Sequence, residues 1–303
     1  MSDWVIERGI GETRAARLDA AGAVVEARVR RDGVVAAGTV LNARLVAIAP
    51  RVTVEAAGEQ FLLPRGASGI SEGAAIRIRV TREAIGTEPW KRALAVQTDE
   101  DVRDAPPLAE GVEGVIHGWE DLLEKARAGI VDFDGGQLRI EPTAAMTMID
   151  VDGWLVPDKL AQMAAWAAAR AIARLDLGGS VGVDFPSIEG KAARQEIGTI
   201  LDDYLPEGTE RTQMNGYGFV QIVRAKDRAS LVDLATDRAA FEARALLRRA
   251  GTAVGATTLA AHPAVVALLE TRTDWIEALA RRVGGAVTLK ADPGLAMSGG
   301  YAD

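Results

Sequence analysis

The stretch from Ala145 to Ser187 constrains this chain most. It reads A-M-T-M-I-D-V-D-G, then an alanine-rich segment, then G-G-S-V-G-V-D-F-P-S. Each end is a short apolar run of strand type, closing on Asp150 in the first and on Asp184 in the second. Between them Pro157 sits where a helix can start, and Leu160, Met163, Ala164, Ala167, Ala171, Ile172 and Leu175 recur at helical spacing until Gly178-Gly179 stops it. The spacing predicts a strand-helix-strand unit. Such crossovers are right-handed and join parallel strands, so both aspartates are expected at the C-terminal edge of one sheet, where open α/β sheets place their sites. Two carboxylates there, with Asp152 as a third candidate, suit a hard divalent cation such as magnesium, which takes oxygen ligands and keeps several waters. Aspartates at strand ends also cap helices and turns, and spacing alone does not choose between the two roles.

The rest of the chain limits the classes available. At 303 residues it has room for two or three compact units, and its 48% hydrophobic content is that of a globular protein. No apolar run approaches the roughly 20 residues that span a bilayer, and the start M-S-D-W-V-I-E-R lacks the basic and apolar regions of a signal peptide. A cytoplasmic protein with no membrane partner is expected. With no cysteine, disulfides and Cys-ligated zinc or iron-sulfur centres are excluded. The net charge of −8 is local: residues 101–150 hold 4 basic against 11 acidic side chains, and the other 253 residues hold 31 against 32. That balance argues against sequence-blind adhesion to nucleic acid, yet it permits a basic groove on part of the surface.

In chain order, residues 1–33 read as short strands with turns at Gly9, Gly11, Gly22 and Asp32-Gly33. Residues 34–98 are all β, five short strands punctuated by Pro50 and several glycines, the pattern of a small closed barrel of the OB or S1 kind. Such barrels bind single strands through a basic groove with aromatic platforms, so Phe61 is either a platform or a core residue. Residues 99–144 begin with an acidic, Pro- and Gly-containing linker, followed by a short helix at Trp119–Arg127 and a hairpin around Asp134-Gly135-Gly136. Residues 145–235 hold the two aspartate strands, a second helix from Lys191 to Tyr204, and a strand-like run from Met214 to Val223 that leads into Arg224, Lys226 and Arg228. From 221 to 249 there are 7 basic against 4 acidic residues, which can track a phosphate backbone or form a solvated helix face. Residues 236–303 read as a small C-terminal α/β unit in which His262-Pro263 starts a helix.

The segments I-D-V-D-G and G-G-S-V-G-V-D-F, with Lys191-x-x-Arg194 downstream and the stretch from Arg211 to Leu231, resemble the catalytic region of the ribonuclease E/G family. In that family an I-D-[IV]-N strand and a G-G-x-[IV]-x-I-D-F strand each supply one metal-binding aspartate, which the match carries onto Asp150 and Asp184. Asp152 stands where the family usually has asparagine, and Gln221 where it has glutamate. The resemblance implies a mixed α+β chain: an S1/OB-like barrel inserted near the N-terminus of a reduced RNase H-like part, a DNase I-like α/β catalytic sheet, and a small terminal domain. Phe61 and Lys91 match an aromatic and a basic residue that contact RNA in the family barrel, while a second aromatic of that surface is Val54 here. The paired-cysteine zinc link of the family is absent, so a homodimer, if formed, has no zinc link. The acidic linker occupies the place of the region that senses an RNA 5′ end, which implies cleavage indifferent to that end.

The chemistry agrees with the resemblance. Metal-free phosphodiester hydrolysis normally shuttles protons through a histidine pair, and this chain has only His117 and His262. Carboxylate-held Mg²⁺ or Mn²⁺ instead activates water and neutralises charge on the phosphate. The expectation is an endoribonuclease acting on single-stranded RNA, with Asp150 and Asp184 on the metal and Lys191 and Arg194 on the phosphate. Arg224, Lys226 and Arg228 are expected to bind RNA beside them. The rival expectation is an RNA-binding or RNA-chaperone protein on the same scaffold without catalysis. No Walker loop and no G-x-G-x-x-G after a strand occurs, so ATPase and dehydrogenase readings have no support.

Overall fold

In a computed structural model that describes residues 4–86 and 91–303, the chain opens with an antiparallel meander of β1 (Trp4–Arg8), β2 (Glu12–Leu18) and β3 (Val24–Arg31). The next five strands leave this sheet. They are β4 (Val40–Ala47), β5 (Thr53–Ala56), β6 (Glu59–Leu62), β7 (Ala75–Arg82) and β8 (Ala93–Gln97), and they close into a barrel in the order β4-β5-β6-β8-β7. Alternation drives the closure: Ile76, Ile78 and Val80 of β7 point inward beside Leu45, Val54 and Phe61, while Arg77 and Arg79 point out. The chain then returns, and β9 (Gly111–Glu113) pairs in parallel with β1, Trp4 opposite Gly111, so the barrel is an insertion between two parts of one sheet.

The expected five-stranded barrel is therefore present, but Phe61 is a core residue with no exposed surface. It sits opposite Val54, which is equally enclosed. Stacking on RNA through Phe61 is excluded by this parity: both side chains face the interior of a closed barrel. Trp90, which could cover the barrel edge by sequence, lies outside the described residues. The acidic linker is not free either. Asp101 pairs with Arg77 at 3.6 Å, and Glu100 pairs with Arg79 at 2.9 Å and Arg103 at 2.5 Å, so its start lies along the basic outer side of β7.

After α1 (Trp119–Ala128) the chain builds a six-stranded sheet from β10 (Ile130–Phe133), β11 (Gly136–Pro142), β12 (Thr147–Gly153), β13 (Gly179–Asp184), β14 (Glu210–Arg211) and β15 (Phe219–Arg224). Its order is β10-β11-β12-β13-β15-β14, and only β12 and β13 run parallel. Between these two lies α2 (Pro157–Arg174), as the Pro start and Gly-Gly stop predict. α3 (Lys191–Tyr204) follows β13. The run from Met214 is not strand throughout: Asn215 Oδ1 accepts from the N–H groups of Tyr217 and Phe219 at 2.9 and 3.1 Å, making a turn, and β15 begins only at Phe219.

α2 organises the core. Eight of its alanines are buried, seven of them in one cluster with Leu160 and Ile172, and the small side chains let it lie close to both the six-stranded sheet and the meander. Ile140, Ile149, Val151, Val181, Val183, Val220 and Ile222 form the covered sheet face, and Ala16, Val24, Ala27 and Val29 come from the meander. Each fully buried Ile or Val contributes about 1.5–3 kcal/mol. Among the described residues no helix packs over the opposite face of the sheet, where Arg139, Asp150, Asp152 and Asp184 alternate with the core residues and remain exposed.

The C-terminal part packs α4 (Leu231–Thr236), α5 (Arg238–Ala250), α6 (Pro263–Thr271) and α7 (Thr273–Val283) with a sheet of β16 (Thr257–Ala261), β17 (Val287–Ala291) and β18 (Tyr301–Ala302), ordered β17-β16-β18. His262 caps α6, its Nδ1 accepting from the Ala264 N–H at 3.2 Å, a structural role. Among the described residues no helix is long and apolar enough to cross a membrane.

Candidate active site on the open sheet face

Strand register assembles the site. Asp150 on β12 lies opposite Asp184 on β13, and the same row continues to Arg139 on β11 and Phe219 on β15. Adjacent strands lie about 4.8 Å apart, so the two carboxylates can approach one ion from the same side. The neighbouring row holds Met148, Gly182 and Gln221. At Gly182 a side chain is sterically forbidden, since a Cβ would sit 2.8 Å from the Phe219 ring and 2.9 Å from the Met146 sulfur. The ring and the thioether thus close over the strand beside the aspartates and form an apolar floor.

Electrostatics marks Asp150. Its pKa is raised above the ordinary aspartate value by burial first, then by repulsion from Asp152 and Asp184, against the opposing pull of the Val151 N–H and Arg139. Asp152, two residues along and on the same face, pairs with Arg139 at 3.3 Å. Three carboxylates against one guanidinium leave this face short of positive charge, an environment a cation relieves. Among the described residues, no three or more acidic or histidine side chains are grouped so as to hold a metal. Asp152 therefore does not join Asp150 and Asp184 in a three-carboxylate cluster, and the face presents those two side by side.

The other predicted residues divide sharply. Lys191 opens α3 just beyond the β13 strand and is exposed. Arg194, one turn on, donates from Nη1 to the Ile188 carbonyl at 3.2 Å and so braces the loop that leaves Asp184. Lys91 lines a cleft of about 420 Å³ between the barrel and α4–α5, together with Arg31, Asp233 and Arg244, away from the aspartates' row.

Arg224, Lys226 and Arg228 do not form a phosphate track. Arg224 lies on the covered face of β15, two residues past Ile222, and pairs with Asp176 at 2.9 Å. Arg228 pairs with the other oxygen of Asp176 at 2.5 Å and with Asp227 at 3.0 Å, while Lys226 pairs with Asp233 at 2.8 Å. The physical reason is docking. This stretch ties the sheet to the barrel, where the Glu83 N–H donates to the Asp227 carbonyl and the Glu83 carboxylate accepts from the Ala229 N–H, both at 3.0 Å. Burial raises the pKa of Asp233, but Lys226 and the Ser230 cap outweigh it, so the net direction is down.

Sequence reading missed two members of this region. Asp176 sits in a left-handed turn, φ 53°, at the exit of α2, and nothing local distinguishes it from an ordinary turn aspartate. Arg139 was findable, because the alternation in Q-L-R-I-E puts it on the polar face of the strand next to Asp150. Gln221 donates from Nε2 to Ser180 Oγ at 2.9 Å, an internal bond on the same face.

No curated protein matches the sequence. The segment that carries both aspartate strands, α2, α3 and the docking stretch does match a family model, that of the Ribonuclease E/G family, over residues 114–227. That segment, a little over a third of the chain, is thus similar to the ribonuclease E/G family.

Proposed function

We propose that the chain is a divalent-metal-dependent endoribonuclease that cuts single-stranded RNA to 5′-phosphate and 3′-hydroxyl ends. The observation that carries this reading is the registered pair of Asp150 and Asp184 on an uncovered sheet face, inside the family-matched segment. In this reading the six-stranded sheet is the DNase I-like catalytic part, and the barrel is an S1/OB-like RNA-binding unit.

Asp150 and Asp184 would hold Mg²⁺ or Mn²⁺, which when bound activates water and neutralises charge on the phosphate. The surrounding residues do the positioning. Arg139 engages Asp152 and holds this third carboxylate aside from the pair. Lys191 supplies an exposed positive charge for the phosphate, on a helix whose entry loop Arg194 braces. Phe219 and Met146 keep water from one side of the aspartates.

A second reading, an RNA-binding protein without catalysis, draws on Gln221, which stands in place of a carboxylate and bonds to Ser180. One assay separates the two: labelled single-stranded RNA at low salt, with Mg²⁺ or Mn²⁺ and with EDTA. Asp150→Asn and Asp184→Asn should each lower cleavage at least ~100-fold while leaving the fold intact, because both side chains are exposed. Full activity in both variants, or activity in EDTA, refutes the proposal. Binding by the wild type without cleavage in either metal selects the second reading.

A further inference from the structure

The open face of β12 continues past the aspartates. Met148, Asp150 and Asp152 succeed one another on it, and just past the strand's end at Gly153 the Trp154 side chain is 80% exposed. Its backbone is fixed: the Trp154 N–H donates to the Gly135 carbonyl at 3.1 Å, at the turn joining β10 to β11. Beside it runs a groove of about 610 Å³ lined by Phe133, Gln137, Trp154 and the carboxylates of Asp132 and Asp152. Asp132, Gln137 and Asp152 form one cross-strand row, adjacent to the row of Asp150 and Asp184.

Local sequence shapes this groove. A Cβ on Gly136 would lie 2.3 Å from the Asp152 carbonyl and 2.8 Å from the Phe133 ring, so the bare backbone lets the ring settle against the strand. Two aromatic surfaces, one fixed and exposed and one half-buried, then border a polar floor.

We propose that this groove is a nucleobase subsite, in which Trp154 stacks an unpaired base of the RNA and Gln137 meets its edge. Charge selects the occupant. Asp132 and Asp152 repel phosphate, so the backbone passes outside while the base, whose edge carries N–H donors, enters. Distance sets the role. Trp154 is four residues from Asp150, at most about 13 Å of extended chain, so the stacked base belongs to a nucleotide flanking the reacting phosphate. Trp154 is thus a positioning residue that sets where the strand is cut. The inference rests on the proposal that this face acts on single-stranded RNA.

The test uses the full chain and a 5′-labelled 12-nucleotide single-stranded RNA, unmodified or with one abasic nucleotide moved along it. Binding is read by anisotropy in Ca²⁺ and cleavage in Mg²⁺. Trp154→Ala should weaken binding about tenfold, within the range for one base-aromatic stack, and Trp154→Phe should restore most of it. In the wild type, one abasic position near the cut should cause a similar loss, and Trp154→Ala should no longer sense it. Unchanged binding in Trp154→Ala, or an abasic profile identical in wild type and variant, overturns the subsite whether or not RNA is cut. If the wild type binds with the coupled losses but does not cleave, the subsite stands and the nuclease reading falls. If wild-type protein binds no RNA, both fall.

Discussion

Replacing Arg228 by alanine separates a structural role from RNA contact. Its guanidinium lies 2.5 Å from Asp176, and the two side chains are only 18% and 5% exposed. Burial works against the Arg228 charge, but Asp176 and Asp227 more than offset it and hold its pKa above the usual value. Breaking a buried pair by removing one partner costs about 3–5 kcal/mol, because the other charge is left buried. Here Asp176 keeps Arg224 at 2.9 Å, so the expected loss is smaller, roughly 2–3 kcal/mol. For units of this size that corresponds to a fall of roughly 5–10 °C in the thermal midpoint. Asp176→Asn, which tolerates the left-handed backbone, should cost a similar amount, and the double variant should fall short of the sum by about 1 kcal/mol or more. Thermal unfolding measures the stability, and RNA binding across a salt series measures phosphate contact. The salt slope should not change in Arg228→Ala. A slope reduced by about 1 with stability unaltered would show that Arg228 serves RNA and not the junction of sheet and barrel.

Two further outcomes follow from residues already placed. Phe61→Ala, at a fully enclosed barrel position, should destabilise by about 3–5 kcal/mol in denaturant unfolding; a folded variant of unchanged stability with weakened RNA binding would contradict its core role. Glu7 ties β1 to α5 through Arg248 at 2.7 Å and to the Ile116 N–H at 2.9 Å; burial raises its pKa, but these partners and Arg14 outweigh it and hold it below 4.5. A depressed carboxylate stabilises above its unfolded value, and that stability disappears as pH falls through the folded value. Glu7→Gln should therefore cost roughly 1–3 kcal/mol at pH 7 and progressively less below pH 4.5, and an equal cost at both ends of a pH series of unfolding curves would refute the linkage.

The strand-helix-strand unit was legible because its signals are local: Pro157 starts α2, alanine spacing defines its buried stripe, and Gly178-Gly179 ends it. Once β12 and β13 are parallel, Asp150 falls opposite Asp184 with Thr147 opposite Val181. The basic run failed to read true because its partners are distant in sequence. Asp176 lies about fifty residues before Arg224 and Arg228, and charge counts carry no trace of that pairing. Phe61 failed for another reason: alternation in a four-residue strand shows that one set of side chains faces in, but not which set until the barrel closes. The groove at Trp154 depends on a hairpin turn and the end of β12 meeting across Gly136 and Gly153, an arrangement no single stretch encodes.

The insertion of the barrel sets a schedule for synthesis. β1 must wait for β9, about a hundred residues later, and the apolar side of the meander waits for α2, which ends at Arg174. The barrel strands between them pair with one another, with one added bridge from Val40 to Arg103, and the barrel can close once β8 emerges. At about 5–20 residues per second, Ala16, Val24, Ala27 and Val29 remain uncovered for on the order of ten seconds after β3 leaves the ribosome, an interval in which apolar surface is open to wrong partners.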